Sequence, residues 1–124
     1  MGTSNKNKAI EFLKLASSGK VREAYDKFIS SAFRHHNAYF SGDAEALAKG
    51  MEDSVKQFPH KTLEVLRALE DGNLVAVHLR VKLTPSGQDV ALIHIFRFEG
   101  GRIVELWEAA QEIPKEIPNK NGVF

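Results

Sequence analysis

The sequence has no cysteine among its 124 residues. Disulfides, thiolate zinc sites, iron–sulfur clusters and a cysteine nucleophile are therefore excluded, and the absence favours a cytoplasmic protein. An excess of charge is also missing, because 17 Lys and Arg residues face 16 Asp and Glu residues and leave a net charge of +1. No strong overall field is available to attract nucleic acid or an anionic membrane surface, so we expect neither as a partner.

Long apolar runs are absent as well. No stretch approaches the ~18–20 residues of a membrane span, and the polar segment Met1–Lys8 has no apolar run behind it, so we expect no secretory signal. Glycine-rich phosphate loops, dinucleotide-binding fingerprints and nucleophile elbows do not occur. None of the five histidines has a spacing that suits metal ligands, so we expect no metal site.

What remains is an ordinary globular composition, with 43% hydrophobic and 27% charged residues. At roughly 100–200 residues per domain, residues 1–124 are expected to form a single domain. Folding should hide roughly two-thirds of the surface of a chain this long. That is enough for one hydrophobic core and an internal cavity.

Three helices are predicted in the front half of the chain. Ser4 is a suitable cap for the first, and Val21–Ile29 carries the apolar spacing of the second. Asp43 can cap a third helix, which ends near Pro59. The segment Ser30–Gly42 is rich in aromatic residues but has no clean period, and we interpret it as a loop or broken helix against the core.

Four strands in two hairpins are predicted in the back half. The loops are Asp71-Gly72 and Gly100-Gly101, which are typical of type I′ turns. The predicted strands are Thr62–Glu70, Asn73–Leu83, Val90–Glu99 and Arg102–Glu112. Helices on one side of a mainly antiparallel sheet, in the order α-α-α-β-β-β-β, give an α+β fold.

The turns also predict which side chains face one another. If Gly100-Gly101 is the loop of the second hairpin, facing residues have numbers that sum to 201. Arg97 then lies opposite Val104, and His94 lies opposite Trp107 on the other face, since side chains alternate along a strand.

The first hairpin, treated in the same way, places His78 opposite Val65, which makes His78 a polar group in an apolar strand. Both faces of the second hairpin are largely apolar, whereas a sheet wetted on one side would be polar there. We therefore expect the helices to cover one face and a second subunit or the C-terminal tail to cover the other. The first of these alternatives predicts a homodimer through the sheet.

Several short motifs, in order along nearly the whole chain, carry a resemblance. They are His36-Asn37, Asp71–His78, Ile95-Phe96-Arg97, Gly101–Glu108 with Gln111, and Asn121–Phe124. Together they resemble the SnoaL-like group of the nuclear transport factor 2-like superfamily, which is typified by polyketide cyclases. The resemblance implies a cone with an internal pocket, in which three N-terminal helices pack on a curved, mainly antiparallel sheet.

The resemblance also implies a chemistry. Cyclases of this group remove a proton next to a carbonyl with a side-chain acid/base, and they use neither a metal nor an organic cofactor. Two positions depart from the group's pattern, because His94 replaces the usual Asp before Ile-Phe-Arg and Leu106 replaces the His of its His-Trp-Asp motif. An imidazole thus stands where the group has a strand carboxylate.

The candidate catalytic residues are three histidines. We predict His94 as the acid/base, because the ordinary pKa of imidazole, about 6.5, suits proton transfer near neutral pH. We predict that His36 and His78 orient or polarise the substrate oxygen; the alternative for each histidine is a purely structural role. The residues predicted to line the pocket are Trp107, Phe96, Tyr39, Asn37 and Glu108.

Two functions follow from these expectations. The first is a cofactor-free acid/base enzyme of the cyclase, isomerase or lyase type that acts on a small hydrophobic carbonyl compound. The second is a non-catalytic small-molecule-binding or dimerisation module of the same fold, since a fold does not determine a function.

Overall fold

The computed structural model describes residues 3–124, so the first two positions of the polar segment Met1–Lys8 lie outside the described residues. Within this range the chain forms three helices and five strands. They are α1 (Asn5–Ser17), α2 (Val21–Phe28), β1 (Ile29–His35), α3 (Ala44–Gln57), β2 (Thr62–Asp71), β3 (Leu74–Lys82), β4 (Asp89–Glu99) and β5 (Arg102–Glu112).

The helices begin where the sequence predicts. Ser4 caps α1 and Asp43 caps α3, because each side chain accepts a hydrogen bond from the backbone N–H three residues further on. Buried residues recur along α1 at the spacing of one helical face, so this face packs on the sheet. In the described part of the chain no helix is both long and apolar enough to span a bilayer.

The segment after α2 is a strand, and the prediction of a loop or broken helix across Ser30–Gly42 is wrong for its first part. β1 pairs in parallel with β5, where His35 lies opposite Leu106, and both Phe33 and His35 are buried. The partner strand lies far along the chain and the register is irregular. The local sequence therefore has no regular alternation that would predict a strand here. The observed order is α-α-β-α-β-β-β-β.

The five strands form one sheet in the order β1-β5-β4-β3-β2, antiparallel except for the β1–β5 pair. The helices cover the inner face of this curved open sheet, where Phe12 of α1 meets Phe96 of β4 edge-on at 6.0 Å between ring centroids. The predicted α+β architecture, with three helices on a curved and mainly antiparallel sheet, is confirmed.

The β4–β5 hairpin turns at Gly100-Gly101, as predicted, and both glycines have positive φ, which a type I′ turn requires. Beyond the turn the register shifts, so that Arg97 lies opposite Glu105 instead of Val104. Val104 is the extra residue of a β-bulge.

The bulge changes the faces of the residues that follow it. His94 lies opposite Glu108, and Trp107 lies opposite Ile95 on the other face. The predicted pairing of His94 with Trp107 is therefore wrong, because a slip of one position moves a side chain through the sheet. Glu108, rather than Trp107, shares the inner face with His94.

The first hairpin is also shifted. Its loop is Gly72-Asn73 instead of Asp71-Gly72, and only the glycine of the pair has positive φ, so the turn is not type I′. His78 consequently lies opposite Arg67 and not opposite Val65.

Candidate functional site

A cavity of about 320 Å³ lies between the helices and the inner face of the sheet. Its walls come from α1, α3, the segment after β1 and the three strands β2, β3 and β4, with one residue of β5. Most of the lining is apolar. The polar side chains that line it are Ser17, Asn37, Ser54, Lys61, His94 and Glu108.

His94 is the buried titratable group of this cavity, with only 5% of its surface exposed. Its ring stacks on Phe96 with 5.8 Å between centroids, and Nε2 lies 3.6 Å from Oε2 of Glu108. Nδ1 has no hydrogen-bond partner among residues 3–124. Burial lowers the pKa of His94, and the Glu108 carboxylate opposes this effect only in part. Burial therefore favours the neutral form of the ring.

Asn37 connects the loop after β1 to this pair. Its side-chain amide donates a hydrogen bond to Oε1 of Glu108. The loop itself is held by His35, whose Nδ1 accepts from the backbone N–H of Asn37 at 3.1 Å while Nε2 contacts the carbonyl of Ser41 at 2.7 Å. These two bonds fix the tautomer of His35, with the proton on Nε2. His35 thus positions the loop that carries Asn37.

His36 lies on the outer face of the sheet, away from the cavity. Its Nε2 is 2.6 Å from Oε2 of Glu105, and its ring stacks on Trp107 with 5.2 Å between centroids. Glu105 is buried and also accepts hydrogen bonds from Arg34 and Arg97. The bond from His36 first, and those from the two arginines next, lower the pKa of Glu105 to about 2 against the opposing effect of burial.

His78 is on the outer face as well. Its Nδ1 is 2.8 Å from a guanidinium nitrogen of Arg67, and its ring stacks against Phe124 of the C-terminal tail. Tyr39 is 89% exposed, whereas Phe96 is fully buried in the core. Neither of these two aromatic residues lines the cavity.

The structure thus brings together three of the predicted site residues, His94, Asn37 and Glu108. The expectation that the histidines gather around one hollow is wrong, because His36 and His78 lie on the opposite side of the sheet. No group of three or more His, Asp or Glu side chains within residues 3–124 is arranged to hold a metal ion.

Sequence reasoning missed Lys61, which follows the turn after α3 and lines the cavity. Its Nζ donates to Oγ of Ser54 at 3.1 Å, and burial lowers its pKa. A single lysine before a strand carries no motif. Ser54 had a usable signal, since it follows Met51 by three positions on the predicted inner face of α3.

Comparison with known proteins identifies the class. The helices on a curved sheet are those of nuclear transport factor 2-like proteins, and residues 9–106 match the family model of the SnoaL-like domain. The chain belongs to the SnoaL-like family. No curated protein sequence matches it significantly.

Solved structures agree with this assignment. AclR from Streptomyces galilaeus, described as a putative hydroxylase, has 21% identity and a TM-score of 0.74, over 86% of this chain and 88% of that chain. An NTF2-like protein from Cytophaga hutchinsonii has 17% identity and a TM-score of 0.72, over 90% and 93%. IdmH from Streptomyces antibioticus, described as a putative polyketide cyclase, has 21% identity and a TM-score of 0.68, over 87% and 92%. Similarity at these identities establishes the fold alone.

Proposed function

We propose that this protein is a cofactor-free acid/base enzyme of the cyclase, isomerase or lyase type, and that its substrate is a small hydrophobic carbonyl compound. The observation that carries the proposal is a buried imidazole, His94, that lines an apolar cavity beside the carboxylate of Glu108. The description of IdmH, which has the same fold, as a putative polyketide cyclase supports this class of reaction.

The proposed reaction is a proton transfer. Neutral His94 accepts a proton from the carbon next to the substrate carbonyl, and the electron pair of the broken C–H bond becomes an enolate. Glu108 stabilises the imidazolium that forms, because opposite charges 3.6 Å apart attract strongly where water is largely excluded. The imidazolium then returns the proton to the product.

Two neighbours support this pair. Asn37 donates to one oxygen of Glu108, which leaves the other oxygen directed at the imidazole. Phe96 stacks on the ring of His94 and fixes its plane. Asn37 and Phe96 are therefore positioning residues in this proposal, and the proton moves at His94.

The test is exchange of the carbon-bound protons next to the carbonyl of 2-tetralone in D₂O, followed by NMR. This assay detects proton removal whatever the natural product is. We expect His94→Gln to lose roughly 10²–10⁴-fold of the enzymatic exchange rate, the usual contribution of a general base. His60→Gln, at an exposed turn outside the cavity, is the matched control and should keep it. Equal rates in the two variants would refute the role of His94.

A second candidate function is binding without catalysis. It is favoured by the finding that only one of the three predicted catalytic histidines lines the cavity. In that case wild-type protein binds apolar carbonyl compounds and accelerates exchange in none of them. A cytoplasmic location, which the lack of cysteine favours, stays a prediction.

A further inference from the structure

Lys61 is a cation without an anion in the wall of the cavity. Its ammonium group donates one hydrogen bond, to Oγ of Ser54 at 3.1 Å, although an ammonium has three donors. No carboxylate among residues 3–124 lies within ion-pair distance of it. Burial lowers the pKa of Lys61, and no charged neighbour contributes to the shift.

An arrangement of this kind costs stability. Lys61 is partly buried, and the loss of part of an ammonium's hydration is unfavourable unless a partner compensates for it; here the protein supplies only one hydroxyl. A negatively charged group that enters from solution would supply the partner that Lys61 lacks within the protein. The cavity is the route of entry, because Lys61 and Ser54 both line it.

The sheet register shows how far Lys61 stands from the proposed base. Thr62, the next residue, lies opposite Lys82, which in turn lies opposite Asp89. Asp89 precedes His94 by five positions on β4, so about 17 Å of strand, at roughly 3.3 Å per residue, separates the level of Thr62 from that of His94. Apolar side chains, among them Leu92, line the cavity between these levels.

We propose that Lys61 binds a carboxylate of the substrate, and that the substrate is an amphipathic oxo acid whose anionic end lies at Lys61 while its reacting carbonyl lies at His94. This inference rests on the proposed function, because it assumes that the cavity is a substrate site. It adds a specificity-determining residue and a chemical class to that proposal.

The test compares two probes that differ only in charge, 2-naphthoate and 2-naphthamide, by isothermal titration calorimetry. Wild-type protein should bind the carboxylate more tightly than the neutral amide. Lys61→Met should weaken binding of 2-naphthoate about tenfold or more, as expected for loss of a hydrogen bond to a charged group, and leave binding of 2-naphthamide unchanged. Lys61→Arg keeps the charge and should retain the preference.

Lys49→Met is the matched control, since Lys49 is exposed on α3 and does not line the cavity. Thermal unfolding checks that each variant is folded. The proposal is overturned if wild-type protein shows no preference for 2-naphthoate, if it binds neither probe, or if Lys61→Met weakens both probes equally. The exchange assay of His94 is independent of charge selection, so failure of the proposed function and failure of carboxylate binding at Lys61 give different results.

Discussion

His36 and His94 each face a glutamate, but their surroundings give them different roles. His36 is half-exposed and bonds Glu105 at 2.6 Å within a network that includes two arginines. His94 is buried, and its closest approach to Glu108 is 3.6 Å. In the first pair the carboxylate of Glu105 has hydrogen-bond partners at both oxygens, and these contacts hold β1 to the neighbouring strands. The second has unused hydrogen-bonding capacity at Nδ1 of His94, which the proposed proton transfer requires.

The same burial makes the stability of the fold depend on pH through His94. Burial lowers its folded-state pKa below the ordinary value of 6.5, with the Glu108 carboxylate acting in the opposite direction. As pH falls below 6.5, the unfolded chain takes up a proton that the folded chain excludes, so the free energy of unfolding decreases. Above 6.5 the ring is neutral in both states and this dependence vanishes.

We therefore expect His94→Gln to flatten the fall in stability just below pH 6.5. The measurement is urea unfolding at a series of pH values on both sides of 6.5, with the exposed His60→Gln as the control that should retain the wild-type slope. Identical slopes in wild-type protein and in His94→Gln would show that the folded ring titrates like an unfolded one.

At the scale of the elements, α3 contains a glycine, Gly50, in its interior, and the Phe40 ring packs against the helix at this position. A glycine there costs roughly 1 kcal/mol relative to alanine. A Cβ at Gly50 would lie 2.6 Å from the Phe40 ring, which also lines the cavity. The helix therefore gives up stability at Gly50 so that this aromatic ring can lie close to it.

A double-mutant cycle tests this contact. Gly50→Ala should stabilise the protein by about 1 kcal/mol in a Phe40→Ala background, where no ring is in the way. In the wild-type background the same substitution must displace the ring, so we expect a smaller gain or a loss. The measurement is urea unfolding of the four proteins. An equal gain in both backgrounds would contradict the ring contact.

The β4–β5 hairpin shows how far the sequence predicts the elements. Its turn follows from Gly100-Gly101, because two adjacent residues with positive φ are a local requirement that glycine meets. The bulge at Val104 has no such local signature. Valine is common in ordinary strands, and the unpaired residue is recognised only from the pairing of β4 with β5. Because the bulge sets which residue faces His94, the sequence predicts His94 as a site residue but not its pairing with Glu108.

Elements that depend on distant partners were the hardest to predict. β1 was missed because its partner strand is remote in sequence, and Lys61 because nothing in its local sequence indicates that it lines a cavity. The helix caps at Ser4 and Asp43, in contrast, use atoms within three residues and were predicted correctly.

At the scale of the whole molecule, the outer face of the sheet carries an apolar row across four strands. The register aligns Leu69 of β2, Ala76 of β3, Ile95 of β4 and Trp107 of β5. Leu69 is 69% exposed and Ile95 is 37% exposed. Leu74 and Ile93, on the same face, are exposed as well, so this face presents several large apolar side chains to solvent.

The C-terminal tail covers a different part of that face. Phe124 packs against His78 and lies 4.9 Å from the guanidinium carbon of Arg80, so the tail reaches β3 beside the row. Of the two covers expected from the sequence, the tail therefore accounts for one area of the outer face and leaves Leu69 and Ile95 exposed.

We expect a second copy of the chain to cover the outer row and form a two-fold dimer, because a two-fold axis would bury this apolar row against the same row of the second copy. Wild-type protein should sediment as a dimer at micromolar concentration in analytical ultracentrifugation. Ile95→Glu places a charge in the middle of the row and should shift the protein to monomer, whereas Gln88→Glu, in an exposed loop, adds the same charge elsewhere and should leave the dimer intact. A monomeric wild-type protein would show that the row is not a subunit interface.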